Sequence, residues 1–332
     1  MFSKPIDFLA IGDTVVDAFI KLKEAHVTCS VDKDNCEICM KFGDKIPFES
    51  ATVVAAVGNS ANAAVSAARL GLRSALLTDL GGDRYADESL ASLRKDGVET
   101  QYVRTHKGMP TNYHYVLWYG DERTILVKHQ EYPYTLPRFS RKPKWVYVSS
   151  LGSTSYEYHT AIIEWLKANP EIKVAFQPGT FQISLGIEKL KGLYERSDIF
   201  FCNKEEAQKI LRTDESDVKK LMSLMREQGP KTVVITDGPR GAYTFDGTDA
   251  YFMPTYPDPK APFERTGAGD AFASTFVIAL AKGKSLEDAL AWAPINSASV
   301  VQDIGAQRGL LTESALGEWL AKAPADYNPR KI

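Results

Sequence analysis

The chain has 332 residues, 44% hydrophobic and 25% charged, the composition of a soluble globular protein and a length generous for one domain. A formal net charge of -2 argues against a nucleic-acid grip resting on a bulk basic surface. No apolar run approaches the roughly 20 residues of a membrane span, and four cysteines are few for a disulfide scaffold, so no membrane partner is expected and a reducing cytoplasm is the default location.

In chain order, the opening MFSKPIDFLAIGD lacks the charged and apolar regions of a signal peptide. IDFLAIG reads as a buried strand. SANAAVSAARLG reads as an Ala-rich helix with Ser60 as its cap and Gly71 as its stop. SALLTDL and YADESLASLRKDG repeat the pair. So do WVYVSS and EYHTAIIEWLKAN, IKVAFQP and IEKLKGLYERS, and DIFFCN and KEEAQKILR. TVVITDG follows a helix beginning near Asp214. This rhythm predicts a three-layer α/β/α fold with a mainly parallel central sheet.

Two stretches break the rhythm. Residues 15–54 alternate in short runs without a long helix, and TNYHYVLWYGDERTILVK reads as a hairpin about Gly120-Asp121. They are expected to pair into a small β-sheet lid, from about 15–55 and 100–130, over one domain spanning 1–332. The plainer alternative makes them edge strands of the main sheet.

Late in the chain, FERTGAGDAFASTF sets Gly267, Ala268 and Gly269 at the mouth of a helix, with Asp270 in its first turn. The first N–H groups of a helix lack internal partners, and the dipole there is positive. Small residues let a phosphoryl group approach those donors. A carboxylate beside them can take the proton of an attacking hydroxyl. Donors plus a base are what phosphoryl transfer to an alcohol requires. The plain alternative is a Gly-rich turn with an acid placed for the dipole.

The stretch closely resembles the C-terminal signature of the ribokinase-like (PfkB) carbohydrate kinases, with Glu264 where that family usually has Asp. The resemblance implies that Asp270 is the catalytic base and that the N–H groups of Gly267 to Asp270 form the anion hole. It extends from end to end. IGDTVVDAFI sets Asp17 at the family's sugar-binding acid. VGNSANAAVSAARLG matches the first signature at Gly58, Asn62 and Arg69-Leu70-Gly71, with Val57 in place of a glycine and Asn59 where members often contact sugar. LTDLGGDRYADES fits with Ala86 where most members carry glycine, and YGDERTIL resembles the lid hairpin. Asn203 and Glu206, in Asn-x-x-Glu spacing, sit at a strand-to-helix junction where oxygen ligands suit Mg²⁺, or equally cap the helix. Thr236, Gly238 and Gly241, together with Thr266, resemble the ATP-binding loops, and Asn296 falls where members line the adenine pocket. Gly305-Ala306 matches the turn that closes that site. Neither GxxxxGK[ST] nor a GxGxxG after the first strand is present, which removes the main support for P-loop and dinucleotide readings.

The resemblance implies an ATP-dependent kinase acting on a sugar, with a nucleoside as the alternative acceptor, and Mg²⁺ and a monovalent cation as its ions. Tyr113, Tyr115, Trp118 and Tyr119 can stack on a ring-bearing acceptor, or bury a homodimer contact through the lid. A non-catalytic sugar or nucleotide binder is the remaining class. It would have little chemical need for Asp270.

One cluster stands apart. His26, Cys29, Cys36 and Cys39 have spacing that suits tetrahedral Zn²⁺. Cys36 and Cys39 on one continuous strand would point to opposite faces, so the site needs a turn near Asn35.

Overall fold

The computed structural model describes residues 5–29, 36–120, 122–263 and 265–332. Glu264, Asp121 and Asn35, each named above, lie outside the described residues.

The chain enters the core through β1 (Phe8–Ile11) and leaves it at once for β2 (Val15–Leu22), β3 (His26–Cys29), β4 (Cys36–Cys39) and β5 (Phe48–Val57). It returns through α1 (Asn59–Arg69), β6 (Ser74–Gly81), α2 (Arg84–Lys95) and β7 (Val103–His106). A second excursion forms β8 (Tyr113–Tyr119) and β9 (Glu122–Leu126). Regular strand-helix units follow: β10 (Trp145–Val148), α3 (Tyr156–Lys167), β11 (Lys173–Phe176), α4 (Thr180–Leu185), α5 (Ile187–Arg196), β12 (Ile199–Asn203), α6 (Lys204–Leu211), α7 (Val218–Glu227) and β13 (Thr232–Thr236). A 3₁₀ turn at Gly238–Arg240 leads to β14 (Ala242–Phe245) and β15 (Ala250–Met253). The chain ends with α8 (Ala268–Ala281), α9 (Leu286–Val300), α10 (Glu313–Ala321) and β16 (Arg330–Lys331).

The main sheet runs β16-β15-β14-β13-β12-β11-β10-β1-β6-β7, parallel from β13 to β7 and antiparallel beyond β13. Alternate residues of β1 show why helices cover both faces. Phe8 and Ala10 enter the core against α1, α8 and α9, while Leu9 and Ile11 enter the core against α3, α5 and α7. The strand order reverses between β1 and β10. Such a switch point leaves a crevice beyond the carboxyl ends of the two strands.

β5, β2, β8 and β9 form a separate sheet, the expected lid. Its second segment begins later than about 100, because β7 pairs with β6 and belongs to the main sheet. β8 and β9 pair with Tyr119 opposite Glu122, as the hairpin pattern predicts. Register decides the faces. Asp17 pairs with Val54 and His114, so these point one way, and Val54 packs near Gly305 of the main body. Ala18 pairs with Val53 and Tyr115 on the opposite, outer face. The tyrosines of β8 are therefore not the rings that face the interior. Tyr113 instead packs on Tyr85 of α2, at 4.9 Å between centroids, and Trp118 meets Phe263 edge-on at 4.9 Å.

β3 and β4 form an exposed two-stranded ribbon with Cys29 opposite Cys36 and His26 opposite Cys39. Cys29 and Cys36 are joined in a disulfide, and Cys39 is an exposed free thiol. Two of the four candidate zinc ligands are thereby taken up by each other. Among the described residues, no three His, Cys, Asp or Glu side chains converge as a metal set.

Candidate active site

A cavity of about 170 Å³ opens at the switch point. Asp13, just past β1, and Ser150, just past β10, line it, as the crevice rule requires. The lid's inner face contributes Asp17 and His114, the α1 entrance contributes Gly58, Asn59 and Asn62, and the α8 entrance contributes Thr266 and Asp270.

Gly58 caps α1 with φ 115°, and an added Cβ would lie 2.7 Å from the Asp13 carbonyl oxygen. Only glycine fits that approach. Ser60 is consequently not the cap. It lies inside the helix, with its hydroxyl 2.5 Å from that of Ser149. Gly71 does follow the helix end in the left-handed region.

Asp270 sits in the first turn of α8. That helix is apolar nearly all round and packs between α1 and α9, so its mouth is rigidly placed. Three amides hold the carboxylate. Asn59 Nδ2 donates to Oδ1 at 2.8 Å, Asn62 Nδ2 to Oδ2 at 2.8 Å, and Gln177 Nε2 to Oδ1 at 3.2 Å. Gln307 Nε2 in turn donates to Asn62 Oδ1 at 2.9 Å, and the Tyr147 hydroxyl donates to Gln177 Oε1. Asp270 keeps one edge toward the cavity while protein surrounds the rest. Burial pushes its pKa up, and the three amides pull the other way. A base with a raised pKa holds a proton more readily at the moment of transfer. Activity should therefore fall, as pH drops, at a higher pH than for an ordinary carboxylate. Gln177→Leu removes one bond to the charged form, so the acid limb of the kcat/KM profile should move up by about one pH unit. An unmoved limb would mean that Asp270 is not the titrating group.

Residues not predicted from sequence gather around Asp13 and Asp17 at the cavity. Asp13 accepts from His129 Nδ1 at 3.0 Å and from the Tyr134 hydroxyl at 2.9 Å. His114 Nδ1 lies 3.4 Å from Asp17 Oδ1. His114, His129 and Phe181 form a row of rings, with centroids 5.2 and 5.5 Å apart. Asp13 and Gln177 each sit just beyond a strand's carboxyl end, a signal sequence can carry. His129 and Tyr134 come from an irregular segment with none.

The remaining predicted residues divide. Gly267 caps α8 in the left-handed region, the Ala268 carbonyl accepts from Ser297 at 2.7 Å, and an added Cβ at Gly269 would meet open space. Asn203 and Glu206 form a reciprocal capping box, at 2.7 and 2.9 Å, so the capping reading of that motif holds. Thr236 is the register partner of Asn203, and Gly238 and Gly241 frame the turn that follows. Asn296 lies inside α9. It is fully buried, its amide donating to Thr275 Oγ1 at 2.8 Å and accepting from Leu311 N at 2.9 Å. Those bonds tie α9 to α8 and to the segment before α10.

A clamped carboxylate and a small-residue helix mouth at a sheet switch point, beside a separate small sheet, define a phosphotransferase type of site. The family model for pfkB family carbohydrate kinases matches residues 24–313. The chain is 28% identical to the ribokinase of Bacillus subtilis over 270 residues, covering 80% of this chain and 87% of that protein. It is 25% identical to the nucleoside kinase of Methanothermobacter thermautotrophicus over 317 residues, 93% of each chain. An Arabidopsis thaliana ribokinase solved with ribose and ATP superposes with a TM-score of 0.76 at 19% identity, covering 96% of this chain and 99% of that one. The chain belongs to the pfkB family of carbohydrate kinases. It is an ATP-dependent kinase acting on a sugar-type hydroxyl. No helix among the described residues is long and apolar enough to cross a membrane.

Proposed function

We propose that this chain moves the γ-phosphoryl of ATP to a hydroxyl of a small sugar held in the cavity, with Asp270 as general base. The observation that carries the reading is the amide-clamped carboxylate of Asp270, turned to the cavity at the positive end of α8. The acceptor hydroxyl would lie against Asp270, which takes its proton as the new O–P bond forms and the bond to ADP breaks. Backbone N–H groups of Gly267 to Asp270 would stabilise the charge on the transferring group. Asp17, Gly58 and Asn59 would hold the acceptor. Asn62 donates to Asp270 and accepts from Gln307, which suits it to orienting the base. Thr236, Gly238, Gly241 and Thr266 are assigned to ATP. The lid would keep water, a competing acceptor, out of the site.

Mg²⁺ belongs to this reading. Burial pushes the Glu206 carboxyl up, and an acid at this strand-to-helix junction suits a hard divalent cation. Glu206 would hold it, while Asn203, already accepting from Glu206 N, fixes the turn. When bound, the cation supplies charge neutralisation on the phosphates. A monovalent cation would sit beside the anion hole, and no ligand is assigned to it. A cytoplasmic location, where ATP is plentiful, completes the reading.

Besides the nucleoside kinase relative, the nucleoside alternative is supported by the ring row of His114, His129 and Phe181, on which a base could stack. Against it, 170 Å³ falls below the roughly 300 Å³ of clefts that enclose larger ligands. The test is ADP formation from Mg-ATP against pentoses, hexoses, sugar phosphates and nucleosides. At least one acceptor should stimulate it, and chelation should stop it. ATP binding with no stimulation by any acceptor would sink the reading.

The lid's outer face carries Val53, Tyr115 and Leu126 in one row, each about half exposed. We assign this patch to contact with a second copy. Tyr115→Glu should turn a dimer into a monomer in sedimentation velocity. A wild-type monomer at high concentration would refute the assignment.

A further inference from the structure

The ribbon of β3 and β4 takes no part in the site described above. None of its residues lines the cavity, and none belongs to either core. Its strands pair only with each other, and both are exposed except at the half-buried Ile38. A two-stranded ribbon alone is marginally stable in water. Here the Cys29–Cys36 disulfide ties the strands together at one end, and His26 stands opposite Cys39 at the other. Cys39 is an exposed free thiol three residues beyond Cys36, in C-x-x-C spacing. All three cysteines are exposed, so an external thiol can reach both the bond and the free thiol. Exposed disulfides are the labile kind. In a thiol-rich cytoplasm, the location proposed above, disulfides are as a rule transient or sensing.

We propose that this ribbon is a thiol–disulfide exchange site, in which Cys29 and Cys39 compete for Cys36 and the outcome decides whether the ribbon exists. The two pairings exclude each other by geometry as well as by valence. Cys36 and Cys39 on one extended strand point to opposite faces, with Cα atoms about 10 Å apart. A disulfide needs them within about 7 Å, so Cys36–Cys39 closes only when β4 gives up its strand for a turn. β3 then loses the strand it pairs with. The reagent is an external thiol of the glutathione class. Its thiolate attacks Cys36 Sγ, the bond to Cys29 breaks, and Cys29 leaves as a thiolate that takes up a proton. Cys39, giving up its proton, attacks the same sulfur and expels the external thiol. One S–S bond forms for each that breaks, the external thiol is regenerated, and no net oxidant or reductant is consumed. The ribbon joins β2, which bears Asp17, to β5, which leads into Gly58, so the change falls on the connection between two lid strands. The inference stands apart from the kinase reading.

The test is disulfide mapping by mass spectrometry of the folded wild-type protein, equilibrated with reduced and oxidised glutathione and alkylated under native conditions. A Cys36–Cys39 link should appear beside Cys29–Cys36, with Cys29 alkylated in the same molecules. The buried Cys202 reports that the protein stays folded, since it should react at least about tenfold more slowly than the released Cys29. In the switched form the amides of β3 and β4 should exchange hydrogen at least about fivefold faster than in the ribbon. Cys29→Ser leaves Cys36 and Cys39 on the ribbon. Mild oxidation should join them, and the same amides should exchange as fast as in switched wild type, with the melting temperature unchanged. A Cys29–Cys36 bond that glutathione leaves closed in the folded wild type, or one that opens with no Cys36–Cys39 link formed, would overturn the inference. So would a folded Cys29→Ser protein whose two ribbon thiols stay unjoined under oxidation. Should that variant not fold, the wild-type mapping decides alone.

Discussion

Asp270→Asn is expected to lower acceptor-dependent ADP formation by about a thousandfold or more, within the range a positioned general base contributes. The substitution keeps the shape of the side chain and removes only its charge and one acceptor oxygen. Three amides now donate to that carboxylate. An asparagine there would set its own NH₂ against one of theirs, so part of the clamp is lost. The cost of burying a charge disappears at the same time. Those two effects oppose each other, and the melting temperature should change by only a few degrees. Acceptor KM should shift less than kcat, because Asp17, proposed above to hold the acceptor, stands on the lid and not on α8. A variant that turns over within tenfold of wild type would show that another group takes the proton.

The fold was largely legible because its signals are local. Strands β10 to β12 are short apolar runs, each ended by a polar or turn residue and followed by a helical pattern. The lid was legible as an interruption of that rhythm, though its edge was not. Val103–His106 reads as one more short β-rich run, and nothing in VRTH identifies β6 as its partner. Ser60 failed as a cap because tertiary contact outweighed propensity. The turn before α1 must press its backbone against the Asp13 carbonyl, which selects Gly58, and the serine hydroxyl is drawn to Ser149 instead. The faces of β8 were open for a similar reason. Alternation separates His114 from Tyr113 and Tyr115, but only pairing with Asp17 shows which set looks inward.

The same distinction runs through the site. Gly267, Ala268, Gly269 and Asp270 are contiguous, and Asn59 and Asn62 share one helix entrance, so a local pattern can reveal them. Gln177 reaches Asp270, and Gln307 and Tyr147 reach the amides that hold it, from three distant places in the chain. Their role exists only once β10 and β11 lie side by side and the segment after α9 returns to α1. The partners of Asn296, Thr275 and Leu311, likewise meet it only in the folded core.

The second large effect should come from a methyl group. Gly267→Ala is expected to cost about 2–5 kcal/mol of stability and to reduce turnover by about a hundredfold or more. Gly267 has φ 80°, a conformation that alanine adopts only under strain. Its Cβ would also fall 2.3 Å from Ala306 Cβ and 2.6 Å from Ala306 Cα. Ala306 cannot retreat easily, since it follows Gly305, itself at φ 77°, in the turn that lines the cavity. The mouth of α8 would have to move, and Asp270 would move with it, off its three amides. Gly269→Ala provides the contrast. That residue lies within α8, and an added Cβ there meets no atom within 4 Å. It should fold as well as wild type, or slightly better, because alanine favours a helix over glycine. The new methyl would stand at the helix mouth, where the transferring phosphoryl is assigned, so kcat should still fall sharply. Thermal melts and turnover measured on both variants separate the two causes. Full activity in Gly269→Ala would remove the α8 entrance from its role as the anion hole, whatever Gly267→Ala does.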